Sequence, residues 1–248
     1  MGLILGGSPL VRYLAGKVNI VFHGNSLIYG QSGATVPTGA MPYQVQRLPP
    51  VNDQITCINK GVNGQSWAGM RNTGNQVDAL FDSTKINVLV VMEGHNSTMG
   101  EGKSPAQAIA DATAYMADRL ATHPEWLILV ADTQPAYYQS WDDNTAASKN
   151  SILLAYNTLL KNQYRAMGAK VLIETRLAGS PFAFASYTKA TFQAAKIGGQ
   201  SIFSPNDREG GAPDGQFVGQ LQWVHYSDIG NGALAQIFAS GLRRLPRK

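Results

Sequence analysis

A chain of 248 residues, 44% hydrophobic and 15% charged, can bury a full core, which excludes a disordered or fibrous protein and suits one α/β domain. Its net charge of +4 comes from scattered Lys and Arg, the one basic cluster being Arg243, Arg244, Arg247 and Lys248. No basic stripe interleaved with aromatics marks a nucleic-acid partner, and no apolar run reaches membrane-span length.

In chain order, residues 1–17 read as an arm or linker: apolar at the start, broken by glycines and Pro9, with no basic stretch to mark a signal peptide. A single domain follows over 18–248. Five apolar, β-branched-rich runs recur in it, at 18–23, 55–59, 86–92, 126–131 and 169–174. Runs such as Val88-Leu89-Val90-Val91 do not alternate, as expected of strands covered on both faces. Between them lie helical patterns. One opens at Ser104-Pro105, with a cap and a proline at the first position, and carries Ile109, Met116 and Leu120 inward. A second repeats Ile152, Leu153, Tyr156, Leu159, Leu160 and Tyr164 and stops at Gly168; a third starts near Ser227-Asp228. Strands alternating with helices predict a parallel, doubly wound sheet. Residues 31–53, rich in proline, read as a long loop or irregular helix, and 178–222 as a long insertion. Cys57, the only cysteine, sits in an apolar run as a small buried hydrophobe, so no internal disulfide and no cysteine-ligated metal is expected.

Four stretches at strand ends carry candidate chemistry. Ser26, in Phe22-His23-Gly24-Asn25-Ser26-Leu27, stands where open α/β sheets bind ligands and could be a nucleophile, or else a helix cap. After the second strand, Asn59-Lys60-Gly61-Val62-Asn63-Gly64 offers the Gly61 amide as an oxyanion donor, or a glycine needed only for its turn. After the third, Asn96 offers a side-chain N–H to the same oxyanion, or is an ordinary loop Asn. Trp223-Val224-His225 places a histidine just before the last helix, able to take the proton of Ser26.

Together these stretches resemble the SGNH (GDSL-type) hydrolases. Gly24-Asn25-Ser26-Leu27 stands where that family usually has Gly-Asp-Ser-Leu, Asn59 to Gly64 is similar to its second block, Gly94-His95-Asn96 matches Gly-x-Asn of the third, and His225 takes the place of the last block's histidine. The matches keep the family's order over 18–240. The resemblance implies a flavodoxin-like, three-layer α/β/α sandwich with a five-stranded parallel sheet, and a catalytic domain over 18–248. It implies Ser26 as nucleophile, His225 as base, and an oxyanion hole from the Ser26 and Gly61 amides with the Asn96 side chain. No cofactor and no metal are implied, and four histidines without convergent spacing agree.

One departure matters. The family's last block is Asp-x-x-His, yet residue 222 is Gln. Gln222 could orient the imidazole in a dyad, or Asp214 could reach in from the insertion; Asp228 reads as a helix cap. His95 is expected to line the pocket, His23 to be packed or hydrogen-bonded, and His123 to end a helix. Trp67, Tyr137, Tyr138, Trp141, Trp223 and Tyr226 are expected on the rim, Trp67, Tyr137 and Trp223 with His95 as substrate contacts suited to sugar rings. The expectation is therefore an acyl esterase acting through an acyl-enzyme, acetyl esters on carbohydrate being favoured over a lipase or thioesterase. The rival is a carbohydrate-binding module on a decayed hydrolase fold. The expected partner is a small-molecule or glycan ester, with neither nucleic acid nor membrane; the location is left open between cytoplasm and virion, and the N-terminal arm and lack of further cysteines also fit a module of a larger assembly such as a phage tail.

Overall fold

The apolar runs become strands because each has two faces to bury. The computed structural model describes residues 17–30, 39–48, 55–203 and 222–245. In it β1 (Val18–Gly24), β2 (Ile55–Gly61), β3 (Ile86–Met92), β4 (Leu127–Ala131) and β6 (Val171–Ile173) form one parallel sheet in the order β2-β1-β3-β4-β6. Between β4 and β6 the chain adds β5 (Tyr137–Tyr138), and after β6 it adds β7 (Lys196–Ile197), β8 (Gln200–Ser201) and β9 (Gln222–Trp223).

Side chains alternate across the sheet as strand geometry requires. Ile20, Phe22, Val88, Val90 and Leu129 face one core, while Val21, Leu89, Val91, Ile128 and Val130 face the other. The first core is closed by α2 (Met41–Arg47) and α8 (Asp228–Leu242), through Met41, Val45, Leu234 and Phe238. Opposite, α3 (Trp67–Asn72), α5 (Pro105–Thr122) and α6 (Asp143–Gln163) contribute Trp67, Met70, Ile109, Met116, Tyr156 and Leu160. The result is a three-layer α/β/α sandwich of the flavodoxin-like strand order, with each fully buried large side chain stabilising it by about 1.5–3 kcal/mol. The remaining helices, α1 (Ser26–Tyr29), α4 (Gly74–Asp78) and α7 (Lys189–Ala194), are one or two turns long.

Helix starts follow local chemistry. Ser104 and Gln107 form a reciprocal capping box at the head of α5. At α8 the cap is Ser227, whose Oγ accepts from the Gly230 amide, so Asp228 is the first helical residue and not the cap that its position suggested. The proline-rich stretch 31–53 contains α2, and the insertion at 178–222 carries α7 and the β7–β8 hairpin. Cys57 is buried in the first core, its thiol pushed up to about 12 by desolvation. Of the expected N-terminal arm, residues 1–16 lie outside the described residues, as does Asp214.

Strand order reverses between β1 and β3, and ligands of doubly wound sheets bind at the carboxyl ends of strands at such a point. There the register aligns Gly24 with Gly61 on one side and with Met92 on the other. Three strands thus end at one level, and their following loops meet.

Candidate active site

Ser26 is delivered by a turn that admits only glycine. A Cβ on Gly24 would lie 2.4 Å from the Met92 carbonyl oxygen, so no other residue lets β1 leave the sheet this close to β3. Asn25 then caps α1, its Oδ1 accepting from the Leu27 amide at 3.0 Å. Since Asn25 takes the cap, Ser26 is left as the first helical residue, buried, with its hydroxyl available and its amide among the unpaired donors of a helix N-terminus.

His225 Nε2 lies 3.0 Å from Ser26 Oγ. The segment carrying the histidine is pinned on both sides. Upstream, β9 pairs antiparallel with β5, Tyr137 opposite Trp223. Downstream, Tyr226 packs against Phe182 and Phe203, and the Ser227 amide donates to the Ile202 carbonyl at 2.9 Å. Both partners of the Ser26–His225 contact are almost wholly buried, which strengthens it relative to water.

The second and third strands bring two further loops. Asn96 opens a short π-helix (Asn96–Gly100) after β3, and its Nδ2 donates to the Gln65 carbonyl at 3.1 Å. An amide NH₂ carries two hydrogens, so one remains to point elsewhere. Gly61, expected as an amide donor, is already engaged: its N–H donates to Asn59 Oδ1 at 2.9 Å. Three residues on, Gly64 sits in a turn closed by the Gln65 amide on the Val62 carbonyl, with φ 70° and an amide that has no acceptor among the described residues. That positive φ favours glycine, and the turn adjoins the carbonyl that holds Asn96.

No protein-family model matches the sequence, and no curated protein does. Solved structures do. A lipolytic protein of the G-D-S-L family from Veillonella parvula is similar over 92% of this chain and 100% of its own, at TM-score 0.60 and 15% identity. LAE5, an alpha/beta hydrolase enzyme from the metagenome of Lake Arreo, is similar at TM-score 0.58 and 14% identity, over 94% of this chain and 99% of its own. A variant of Axe2, an acetyl-xylooligosaccharide esterase from a Geobacillus, reaches TM-score 0.58 and 16% identity over 93% and 96%. The fold is that of the SGNH (GDSL-type) hydrolases.

On this SGNH fold several expected rim residues are core. Trp67 is fully buried, packed against Tyr115, with Nε1 donating to the Tyr156 hydroxyl at 2.9 Å. Tyr137 and Trp223 are 3% exposed and meet edge to face in the first core, and the Tyr137 hydroxyl is taken up by Trp141 and Asp143. Tyr226 is buried too. The half-buried Tyr138 and Trp141 lie 4.7 Å apart, ring to ring.

His95 stands beside the site, its Nε2 2.9 Å from the Tyr138 hydroxyl; burial and then the charge of His225 press its pKa down to about 4, so it is neutral at pH 7. His23 bonds the Tyr115 hydroxyl at 2.7 Å on the opposite side of the sheet from Phe22, and burial above all lowers it to about 3. His123 caps the end of α5. Among the described residues no three His, Cys, Asp or Glu side chains converge as a metal would need. Gln222 pairs with Tyr138 through the β9–β5 ladder, three residues before His225. The sequence assigned nothing to Glu93, a buried carboxyl directly after β3 that turns out to lie between Asn25 and Ser97. A charged residue inside an apolar strand end was the signal available.

Proposed function

We propose that the protein is a serine carboxylic-ester hydrolase. The observation that carries this is the 3.0 Å contact of Ser26 Oγ with His225 Nε2 at the carboxyl end of β1. In this reading Ser26 attacks the ester carbonyl while His225 takes its proton. Charge building on the carbonyl oxygen is met by the Ser26 amide and the free hydrogen of Asn96 Nδ2, with the unpaired Gly64 amide replacing the occupied one of Gly61. His225 then returns the proton to the leaving alcohol, and water, activated by the same base, releases the acid and restores Ser26.

The acyl group we propose is acetyl and the alcohol a carbohydrate. Support comes from the likeness in fold to an acetyl-xylooligosaccharide esterase, and from the partly exposed Tyr138–Trp141 pair next to His95, a surface on which a sugar ring can stack. Turnover of p-nitrophenyl acetate, with Ser26→Ala as control and a fluorophosphonate probe mapping to Ser26, tests the esterase. Acetate release from a panel of acetylated glycans tests the substrate class. An intact protein that neither turns over the ester nor takes the label is not an esterase, and glycan binding without turnover would point to the binding module instead.

A further inference from the structure

Glu93 carries a fully buried carboxyl on the boundary between the nucleophile turn and the Asn96 loop. Its Oε1 accepts from the Ser97 amide at 2.8 Å and the Ser97 hydroxyl at 3.0 Å. Its Oε2 faces Asn25 Nδ2 at 3.5 Å. The backbone of Glu93 is fixed as well, its carbonyl accepting from the Tyr156 hydroxyl at 2.8 Å. The orientation of Asn25 is not arbitrary. Because its Oδ1 is held by the Leu27 amide, its NH₂ group must point to Glu93.

We propose that Glu93 is a positioning residue: through Asn25 on one side and Ser97 on the other it sets the Ser26 turn against the loop of Asn96, and it is why residue 25 is Asn in this chain. An Asp at 25 would keep the cap on Leu27 but place a second carboxylate about 3.5 Å from the first, with both residues buried where solvent screens charge weakly. The inference rests on the esterase reading, since positioning has meaning only for a reacting Ser26.

The test exchanges donor and acceptor across the contact. N25D alone sets two carboxyls face to face. Its kcat on p-nitrophenyl acetate at pH 9 should fall about tenfold below the parent, with KM within about twofold. Towards pH 6 the ratio to the parent should recover, because one shared proton turns the repulsion into a hydrogen bond. Glu101 and Tyr156, the other ionisable groups facing Glu93, are unchanged in these variants. E93Q alone sets two NH₂ groups face to face and should lose activity without that pH dependence. The double variant N25D/E93Q restores one donor and one acceptor and should return to within about threefold of the parent. An N25D variant as active as the parent at pH 9, or a double variant no better than the worse single one, would overturn the pairing. If E93Q does not fold, the pH dependence of the N25D ratio decides alone, and a flat ratio overturns it. A folded parent with neither turnover nor label overturns this inference together with the esterase reading, whereas an active parent with additive variants overturns the pairing only.

Discussion

Ser26 and His225 are separated by 199 positions in the chain and by 3.0 Å in space. Each reaches the contact from a different support, Ser26 from the central sheet and His225 from the two-residue β5–β9 ladder. If they act as one unit, their losses do not multiply. Ser26→Ala and His225→Ala should each lower kcat by about 10⁴–10⁶-fold, and the double variant should be no worse than the poorer single one. Steady-state rates of ester hydrolysis measure this, and multiplicative losses would show two independent groups.

If Asn96 is an oxyanion donor, Asn96→Ala removes a contact felt mainly as charge develops. It should cut kcat by roughly 10²–10³-fold while KM stays nearly constant. A change confined to KM would make Asn96 a ground-state contact only.

The missing acid can be located by substitution. If Gln222 serves through its backbone, Gln222→Ala keeps most activity; if Asp214 orients His225, Asp214→Ala costs up to about 10⁴-fold. Gln222→Asp restores the family's pattern, and a carboxylate facing the imidazole favours its charged form. The acid limb of the pH–rate profile should then move to higher pH. An unchanged profile would show that residue 222 does not face His225.

Glu93 also makes stability depend on pH. Burial raises its pKa to about 8 from the usual 4.5, against the pull of the Ser97 and Asn96 donors. The folded state therefore holds a proton that the unfolded chain has released, and the stability it adds is full below about 4.5 and lost as pH rises through about 8. Asp132, raised by burial to about 6, acts in the same direction but lower, so most of the change between pH 7 and 9 belongs to Glu93, with the buried Cys57 thiol adding to it only near pH 9. Urea midpoints should fall across that window by an amount worth about 1.4 kcal/mol, one pKa unit, and Glu93→Gln should flatten the slope.

The sheet was legible in the sequence because strands covered on both faces are written as unbroken apolar runs, and only their ends shifted. The run at 169–174 shortened to Val171–Ile173, while β1 and β2 extended to Gly24 and Gly61, whose conformations alone do not distinguish a strand end from a turn. Ser26 was legible because it follows an apolar run, and His225, which meets it, because it precedes the last helix. Aromatic residues were not: Trp67, Tyr137 and Trp223 follow or flank strands as rim residues would, but a large ring under a long loop finds more contact in the core than at the surface. Nor could sequence show that Asn59 closes on the Gly61 amide, since such a local turn competes with ligand for the same donor.

The β5–β9 ladder leaves the machinery unevenly anchored. Ser26 and Asn96 follow seven-residue strands in the middle of a five-stranded sheet, whereas His225 is held upstream only by a two-residue pairing. Regions with few backbone bonds open at lower free energy than the sheet around them. Heating should therefore abolish ester hydrolysis before the protein unfolds, and cooling should restore it. Amides near Trp223 would exchange with solvent deuterium while those of β1 remain protected, so the temperature ceiling of activity belongs to a two-residue strand pairing and not to the central sheet.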